Sequence, residues 1–214
     1  MLITQTEDII VLAKAIPAVT KFHGQITCVA GITKDDSWRR LYPVSTRLLS
    51  QSYFMKFDII RVEVDQWKGQ HPRPEDRFLV DYKGRVDRIS DWENRRAFLT
   101  KYLDSSVKAI LDAGRSLGII KPEIEDFYKD QAGRCRYRFQ DASGSSHNFV
   151  CRDWETAALD RKYPNDFSKV RQKFCDWMKK RDTHFVIGTT TGNIAKMVVA
   201  VHYPPKRKAK SSKK

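Results

Sequence analysis

Residues 134–205 carry the pattern that decides the fold, reading RCRYRFQD (134–141), ASGSS (142–146), HNFVCRDWE (147–155), a helical segment at 167–180, HFVIGTT (184–190) and AKMVVAVHYPP (195–205). The segments at 134–141, 147–155, 184–190 and 195–205 have alternating or branched apolar residues, which are typical of β-strands, and ASGSS is typical of a turn. In the middle segment the apolar residues recur at helical spacing. The order strand, strand, helix, strand, strand predicts a small closed or half-closed β-barrel.

The strand at 134–140 has a row of arginines on one face. Arg134, Arg136 and Arg138 share that face, because side chains two apart in a strand point the same way. Like charges spaced about 7 Å apart repel one another unless an anion is present. The row therefore favours contact with a nucleic-acid backbone, together with Arg152 on the next strand. A plainly solvated face is the alternative.

The first half of the chain is also rich in predicted strands, at residues 9–16, 25–32, 38–44 and 57–64, with a hairpin formed by 78–82 and 84–89. Trp38, Arg40 and Tyr42 would line up on one face of the third strand. Rings alternating with a guanidinium are typical of a platform on which nucleic-acid bases stack. The alternative is a Trp and a Tyr that face the core, with the Arg extending along its rim.

One long helix is predicted at residues 91–117, between the two β-rich halves. Ser90 and Glu93 have the spacing of a capping box. Apolar residues recur at helical spacing after them, and Gly118 and Pro122 follow the segment. The residues after this helix read as a connector with a short helical turn.

Charge defines the class of partner. The net charge is +14, and six of the positive charges lie in the last nine residues. Without that tail, 34 basic residues still face 26 acidic ones, a net charge of +8. A basic body with a basic tail favours a polyanion, usually nucleic acid, and Lys206, Arg207 and Lys208 would add to its binding. An ordinary solvated surface is the alternative.

Nothing in the sequence predicts a membrane protein. No apolar run approaches the roughly 20 residues that span a bilayer, and the N-terminus lacks the basic region of a signal peptide. The four cysteines are widely spaced and include no Cys-x-x-Cys pair, so neither a zinc ribbon nor a disulfide framework is indicated. We expect a cytoplasmic protein without a cofactor or a resident metal.

The strongest catalytic candidate is the pair Asp153 and Glu155, with His147 upstream. Two carboxylates at this spacing in a strand could share a magnesium ion, as in many nucleases. The common nuclease pattern would place a lysine two residues after the glutamate, where this chain has Ala157. The same Asp-Trp-Glu tripeptide occurs at residues 91–93, where helix capping explains it, and capping is the alternative at 153–155.

Several stretches together resemble the dual OB-containing domain family of mostly uncharacterised bacterial proteins. They are IIVLAKAIPA, QITCVAGI, WRRLYPV, LGIIKP and the closing DWE, HFVIGTT and VHYPP. The resemblance covers nearly the whole chain and implies two tandem oligonucleotide-binding (OB) barrels and, by analogy of fold, nucleic-acid binding. Members of the family tend to carry extra cysteines before the position of His147, and this chain has DASGSS there. The resemblance implies no catalytic residues.

We therefore predict a β-rich α+β protein with two small OB-like β-barrels joined by a long helix. The expected divisions are a first β domain at 1–90, a bridging helix and connector at 91–130, a second β domain at 131–205 and a disordered basic tail at 206–214. The predicted function is non-catalytic binding of nucleic acid, with single-stranded DNA or RNA favoured. An accessory role in DNA processing or phage defence is an expectation of the resemblance. The alternatives are a metal-dependent nuclease, and an adaptor within a larger complex that binds an acidic protein partner.

Overall fold

The computed structural model describes residues 4–20, 24–49, 53–66, 73–163, 166–190 and 195–205. These residues form a β-rich fold with two six-stranded sheets and short helices, which confirms the predicted β-rich class with two β-sheet units. The strands of the first sheet are β1 (Gln5–Lys14), β2 (Ala18–Thr20), β3 (Gly24–Thr33), β4 (Trp38–Ser45), β5 (Asp58–Gln66) and β6 (Asp76–Arg88). A short 3-10 helix, Thr46–Leu49, follows β4.

The second sheet is made of β7 (Leu117–Ile120), β8 (Glu123–Lys129), β9 (Cys135–Gln140), β10 (Ser146–Cys151), β11 (His184–Thr189) and β12 (Lys196–His202). The α-helices are α1 (Trp92–Lys101), α2 (Val107–Asp112), α3 (Trp154–Lys162) and α4 (Phe167–Lys179). Two of them, α1 and α2, lie between the sheets in sequence. The other two lie between β10 and β11.

The strands of the first sheet pair in a circuit. Hydrogen-bonded pairs run from β1 through β5, β6, β4 and β3 and return to β1. The first half of β1 pairs with β5 and its second half with β3, while β4 and β6 form a parallel pair. Short β2 adds to the far side of β3.

The second sheet follows the same order of strands. Pairs run β8–β9–β10–β12–β11–β7, and β10 and β12 form the parallel pair. Only Lys121 and Pro122 separate β7 from β8 in sequence. Pro122 lacks an N–H group and cannot continue a ladder of hydrogen bonds, so one strand ends before it and another begins after it. These two strands lie at opposite edges of the sheet. The connector predicted after the long helix therefore supplies two strands instead of a helical turn.

The predicted helix over 91–117 is wrong, because two short helices replace it. The N–H of Asp104 donates to the carbonyl of Ile119 at 2.7 Å, and Leu103 forms a parallel bridge with the same residue. These contacts with β7 interrupt the helical hydrogen bonds. Ser106 then starts α2 by accepting the N–H of Ala109. At the start of α1 the capping group is the carboxylate of Asp91, one residue after the predicted Ser90.

The predicted hairpin at 78–82 and 84–89 is also wrong, since β6 is one continuous strand of 13 residues. Gly84 has φ 131°, and the pairing of β5 with β6 shifts register at three places. Each shift places an extra residue on one strand and bends it. The Lys-Gly signal therefore marks an irregularity within β6, where the sequence pattern indicates a reversal.

A shared apolar cluster joins the two sheets, in addition to a core within each. Its members are fully or almost fully buried. The first sheet contributes Leu12, Ala13, Ala30, Ile32 and Trp38, and the second contributes Leu117, Ile119, Val186, Val199 and Ala200. Burying one large aliphatic side chain contributes about 1.5–3 kcal/mol. This junction therefore holds the two sheets against each other. Among the described residues, no helix is long and apolar enough to span a membrane.

Candidate nucleic-acid interface

The outer face of β8, β9 and β10 combines arginines with an aromatic ring. Burial alternates along β9, with Tyr137 and Phe139 fully buried and Arg138 exposed between them. Tyr137 stacks on Phe127 of β8, with ring centroids 4.5 Å apart. The inner rings therefore fix which side of β9 faces the core. The arginines stand on the opposite side, as the period of two predicts.

A hydrogen-bonded network crosses this outer face. The Nε of Arg136 donates to the side-chain oxygen of Asn148 at 2.9 Å, and its Nη2 donates to the backbone carbonyl of Asn148 at 2.5 Å. The Asn148 amide in turn donates to the hydroxyl of Tyr128 at 2.8 Å. The guanidinium of Arg138 lies over the Tyr128 ring, 5.6 Å from its centroid. Three neighbouring strands thus present a tyrosine ring with two arginines and an asparagine around it.

Two of the three arginines in the row have a carboxylate from the protein itself. Asp130, in the turn before β9, accepts bonds from the backbone N–H and the Nε of Arg134 and lies 3.5 Å from Nη1 of Arg136. The backbone N–H of Arg134 is the main cause that lowers the pKa of Asp130, so this carboxylate stays charged. The row is therefore partly neutralised by its own turn, which strand alternation alone does not reveal.

Arg138 is the member of the row whose charge is least satisfied. Among the described residues, no carboxylate lies within ion-pair distance of its guanidinium. Asp126 stands opposite it in the register of β8 and β9, but that carboxylate lies 3.6 Å from Arg171. An exposed guanidinium over a ring can bind a phosphate or stack on a base without first losing a salt bridge.

The predicted stacking platform on β4 is not present on the surface. Trp38 is 7% exposed and packs in the shared cluster between the sheets. Arg40 is buried too, where it pairs with Asp76 at 2.9 Å and donates to the hydroxyl of Ser116 at 2.8 Å. Tyr42 is half-buried. The second sheet covers this face, so Trp38 faces the core as the alternative predicts, whereas Arg40 is buried instead of extending along the rim.

Asp153 and Glu155 bind Lys56, which lies in the turn just before β5. The Nζ of Lys56 lies 2.8 Å from Asp153 and 3.1 Å from Glu155, and the hydroxyl of Thr156 donates to Asp153. Asp153 and Lys56 are both buried. Burial acts to lower the pKa of Lys56, but the two carboxylates outweigh it and raise that pKa. Asp153 of the predicted metal pair therefore forms a buried ion pair with Lys56 at the junction of the sheets, and the more exposed Glu155 is a second partner of the lysine.

His147 does not join those two carboxylates. Its Nε2 lies 2.8 Å from Asp141, at the other end of β10 from Asp153. Burial acts to raise the pKa of Asp141, but bonds from Ser143, the N–H of Val107 and His147 lower it to about 2. Among the described residues, no group of three or more His, Cys, Asp or Glu side chains is arranged to hold a metal ion.

Arg152 is a structural link between the sheets. Its carbonyl accepts the N–H of Ile16 at 2.7 Å, and its guanidinium donates to the Ile16 carbonyl at 3.1 Å. This half-buried side chain is therefore already engaged in place of the predicted phosphate contact. Lys206, Arg207 and Lys208 lie outside the described residues.

Sequence reasoning missed Tyr128 and Asn148, which complete the interface, and Lys56, which neutralises Asp153. Tyr128 lies in a stretch of alternating polar and apolar residues, EIEDFYK (123–129), that the sequence analysis treats as a connector. Its strand pattern is the signal that could have revealed it. No local pattern signals Lys56, because its partners lie about a hundred residues away in the chain.

Two family models match the chain. Residues 5–101 match a domain of unknown function (DUF8758), and residues 132–214 match a second domain of unknown function (DUF8757). The first match covers β1 to α1, and the second begins just before β9. No curated protein matches the chain.

Proposed function

We propose that this protein binds single-stranded nucleic acid on the outer face of β8, β9 and β10 and does not cleave it. The observation that carries the proposal is the exposed Arg138 guanidinium over the ring of Tyr128, beside Arg136 and Asn148. A ring flanked by guanidinium groups supplies both components that single strands need. Bases stack on the ring or the guanidinium plane, and cations contact the phosphates.

The order of the strands supports this choice of face. We propose that each sheet is an OB-like barrel, with β7 and β8 as the two halves of one bent first strand. The second sheet then has two features of such a barrel. Helices lie between its third and fourth strands, β10 and β11, and its third and fifth strands, β10 and β12, form a parallel pair. OB folds bind oligonucleotides on the face of their second and third strands, which here are β9 and β10. The arginine network lies on those two strands.

The binding energy would come from several modest contacts. Each base that stacks on an aromatic side chain contributes about 1–3 kcal/mol. Arg134 and Arg136 would exchange part of their contact with Asp130 for a phosphate, which limits the net gain from each. Affinity should fall steeply with salt, because phosphate contacts release counterions.

A metal-dependent nuclease is the weaker alternative. Asp153 and Glu155 share the ammonium of Lys56, and Asp153 is 1% exposed. A metal ion at that position would have to displace a buried lysine, which would leave an unpaired charge in the core. We therefore favour binding over cleavage.

The test is a salt series with labelled oligo(dT), oligo(U) and a duplex, with and without magnesium, on the full chain and on a chain lacking residues 206–214. We expect single strands to bind more tightly than the duplex at every salt concentration and to stay intact with magnesium. Binding that survives removal of the tail supports the β-sheet face. Loss of all binding with the tail would contradict the proposal, and so would cleavage that Asp153→Asn abolishes.

A further inference from the structure

A second surface lies on the helices of the C-terminal unit, and none of its lining residues belongs to the arginine row. A cavity of about 440 Å³ opens between the end of α3, one side of α4 and the end of β12. Its lining is mostly apolar and aromatic, and consists of Leu159, Tyr163, Val170, Lys173, Phe174, Trp177 and Tyr203. We call these residues the aromatic groove. The volume is in the range of sites that take a side chain or a small ligand.

The apolar surface of α4 extends beyond its fully buried residues. Phe167, Cys175 and Met178 are buried and face the second sheet. Val170, Lys173, Phe174 and Trp177 follow the spacing i, i+3, i+4 and i+7, and form a second stripe that lines the groove. Trp177 and Phe174 are only half-buried. Both rings pack against the core with part of their surface and leave the rest open to the groove. Apolar surface left open in this way is typical of an interaction site.

Three basic side chains stand at the aromatic groove. Lys173 lines it, the ammonium of Lys162 lies 5.5 Å from the ring centroid of Tyr163, and the guanidinium of Arg181 lies 5.5 Å from that of Trp177. No acidic side chain is among the lining residues. The groove therefore complements an occupant that is both apolar and acidic.

The rings are arranged to receive a side chain more readily than a stacked base. Phe174 is nearly parallel to Trp177, at 12° and 6.3 Å between centroids, and Tyr203 meets Trp177 edge-on at 4.8 Å. These two neighbouring rings occupy ring surface of Trp177 that a base would need. Tryptophan, tyrosine and arginine are the residues that most often dominate protein–protein binding energy.

We propose that the aromatic groove docks an acidic segment of a partner protein, which inserts one large apolar side chain between α3 and α4. The protein's own tail is a poor occupant, because residues 206–214 carry six positive charges and the groove is already positive. This second surface does not depend on the proposed nucleic-acid function. A protein with both surfaces would bring its acidic partner to a nucleic acid.

The test selects ligands from a displayed library of short random peptides on the immobilised full chain, with counter-selection on the double variant Lys173→Glu and Arg181→Glu. Both side chains are exposed, so this variant should fold. We expect enrichment of peptides that carry Asp or Glu around a Phe, Trp or Leu. No enrichment, or enrichment of basic peptides, would overturn the proposal.

A selected peptide is then measured by fluorescence polarisation. The double variant should weaken its binding by about tenfold or more, and Trp177→Ala should also weaken it. The matched control is Lys169→Glu with Lys179→Glu, which makes the same change of charge on exposed positions of α4 outside the groove. If the control weakens peptide binding equally, the effect comes from net charge alone and the proposal is overturned.

Two further measurements test whether a nucleic acid or the protein's own tail occupies the groove instead. Displacement of the peptide by oligo(dT), with oligonucleotide binding lost in the same double variant, would assign the groove to nucleic acid and overturn the proposal. Binding of the peptide only after removal of residues 206–214 would make the tail the occupant, with the same consequence. Peptide binding that is indifferent to both supports an acidic protein partner.

Discussion

At the scale of single residues, Lys56 connects the two sheets through charge. Its ammonium lies within 3.1 Å of both Asp153 and Glu155, in a site where Lys56 is 7% exposed. A buried ion pair adds little net stability compared with a well-packed apolar pair, because both charges lose their hydration. Removal of only one partner is far more costly, since the other is left buried and unpaired.

Replacement of Lys56 by Met should therefore lower the free energy of unfolding by about 3–5 kcal/mol. The double replacement of Lys56 by Met and Asp153 by Leu should recover much of that loss. Urea unfolding measures both. The control is Lys34→Met. The Lys34 side chain is exposed and pairs with Asp8, so this replacement should lower the free energy of unfolding by less than about 1 kcal/mol. A Lys56→Met variant as stable as the control would contradict the buried pair.

Two buried histidines should make stability depend on pH. Burial lowers the pKa of His202 and of His184, and the positive charges of Lys56 and Arg95 lower that of His202 further. Below about pH 6.5 the unfolded chain binds protons that the folded protein does not. The free energy of unfolding should thus fall as the pH drops from about 6.5, by up to about 1.4 kcal/mol per unit for each histidine.

The measurement is urea unfolding between pH 7 and pH 5, for the wild type and for His202→Phe. The phenylalanine keeps a ring against Phe57, which lies 4.7 Å from the His202 ring, and removes one titrating group. We expect a shallower pH dependence in the variant. Equal slopes would show that His202 is not held neutral by the fold.

At the scale of elements, the circuit of the first sheet depends on the close approach of β1 and β3. Gly31 of β3 stands opposite Val11 of β1. A methyl group added to Gly31 would overlap the backbone carbonyl of Ile10. A backbone atom within a ladder has no rotamer to which it could move, so a glycine is needed where the two strands cross.

Gly31→Ala should therefore lower the free energy of unfolding by about 1–3 kcal/mol or more. Gly188→Ala in β11 is the comparison, because the nearest atom there is a side-chain methyl of Val199, which can shift. It should cost less. Thermal unfolding of the two variants tests this, and a larger loss for Gly188→Ala would contradict the tight crossing of β1 and β3.

The regular elements could be predicted from the sequence where local pattern determines them. The strand segments at 184–190 and 195–205 contain β11 and β12, and the helix at 167–180 agrees closely with α4, because apolar periodicity and burial agree there. The helix over 91–117 fails because a tertiary contact of Asp104 and Leu103 with β7 overrides helical propensity. Periodicity contains no information about such a contact.

The candidate site was predictable in part for the same reason. Alternation along β9 places Arg136 and Arg138 on one face, and the structure agrees. The alternation does not show which of the predicted strand faces another part of the protein covers. Trp38 and Arg40 show the pattern of a binding strand, but the second sheet packs on them. Only the three-dimensional arrangement separates the two cases.

At the scale of the whole molecule, the two sheets form one packed body. Besides the shared apolar cluster, Arg73 donates to the carbonyl of Thr189 at 2.8 Å, and Glu75 accepts the N–H of Ser116 at 2.7 Å. These contacts, with the Lys56 pair, cross the junction at several places. Separation of the sheets would expose the cluster and leave buried polar groups unpaired.

The protein should consequently unfold in a single cooperative transition. Far-ultraviolet circular dichroism and tryptophan fluorescence should give the same urea midpoint. Two resolved transitions would show that the units are stable independently of each other. The expected divisions at 1–90 and 131–205 would then act as separate domains.

The central claim is that the outer face of β8 to β10 binds single-stranded nucleic acid, and Arg138→Ala tests it most directly. The measurement is the affinity for labelled oligo(dT) across a salt series, with Arg96→Ala as the control because it removes the same charge from the exposed face of α1. A lost charge-assisted contact costs about 1.5–3 kcal/mol, so Arg138→Ala should weaken binding by about tenfold or more and Arg96→Ala hardly at all. Equal affinities of the two variants would contradict the account.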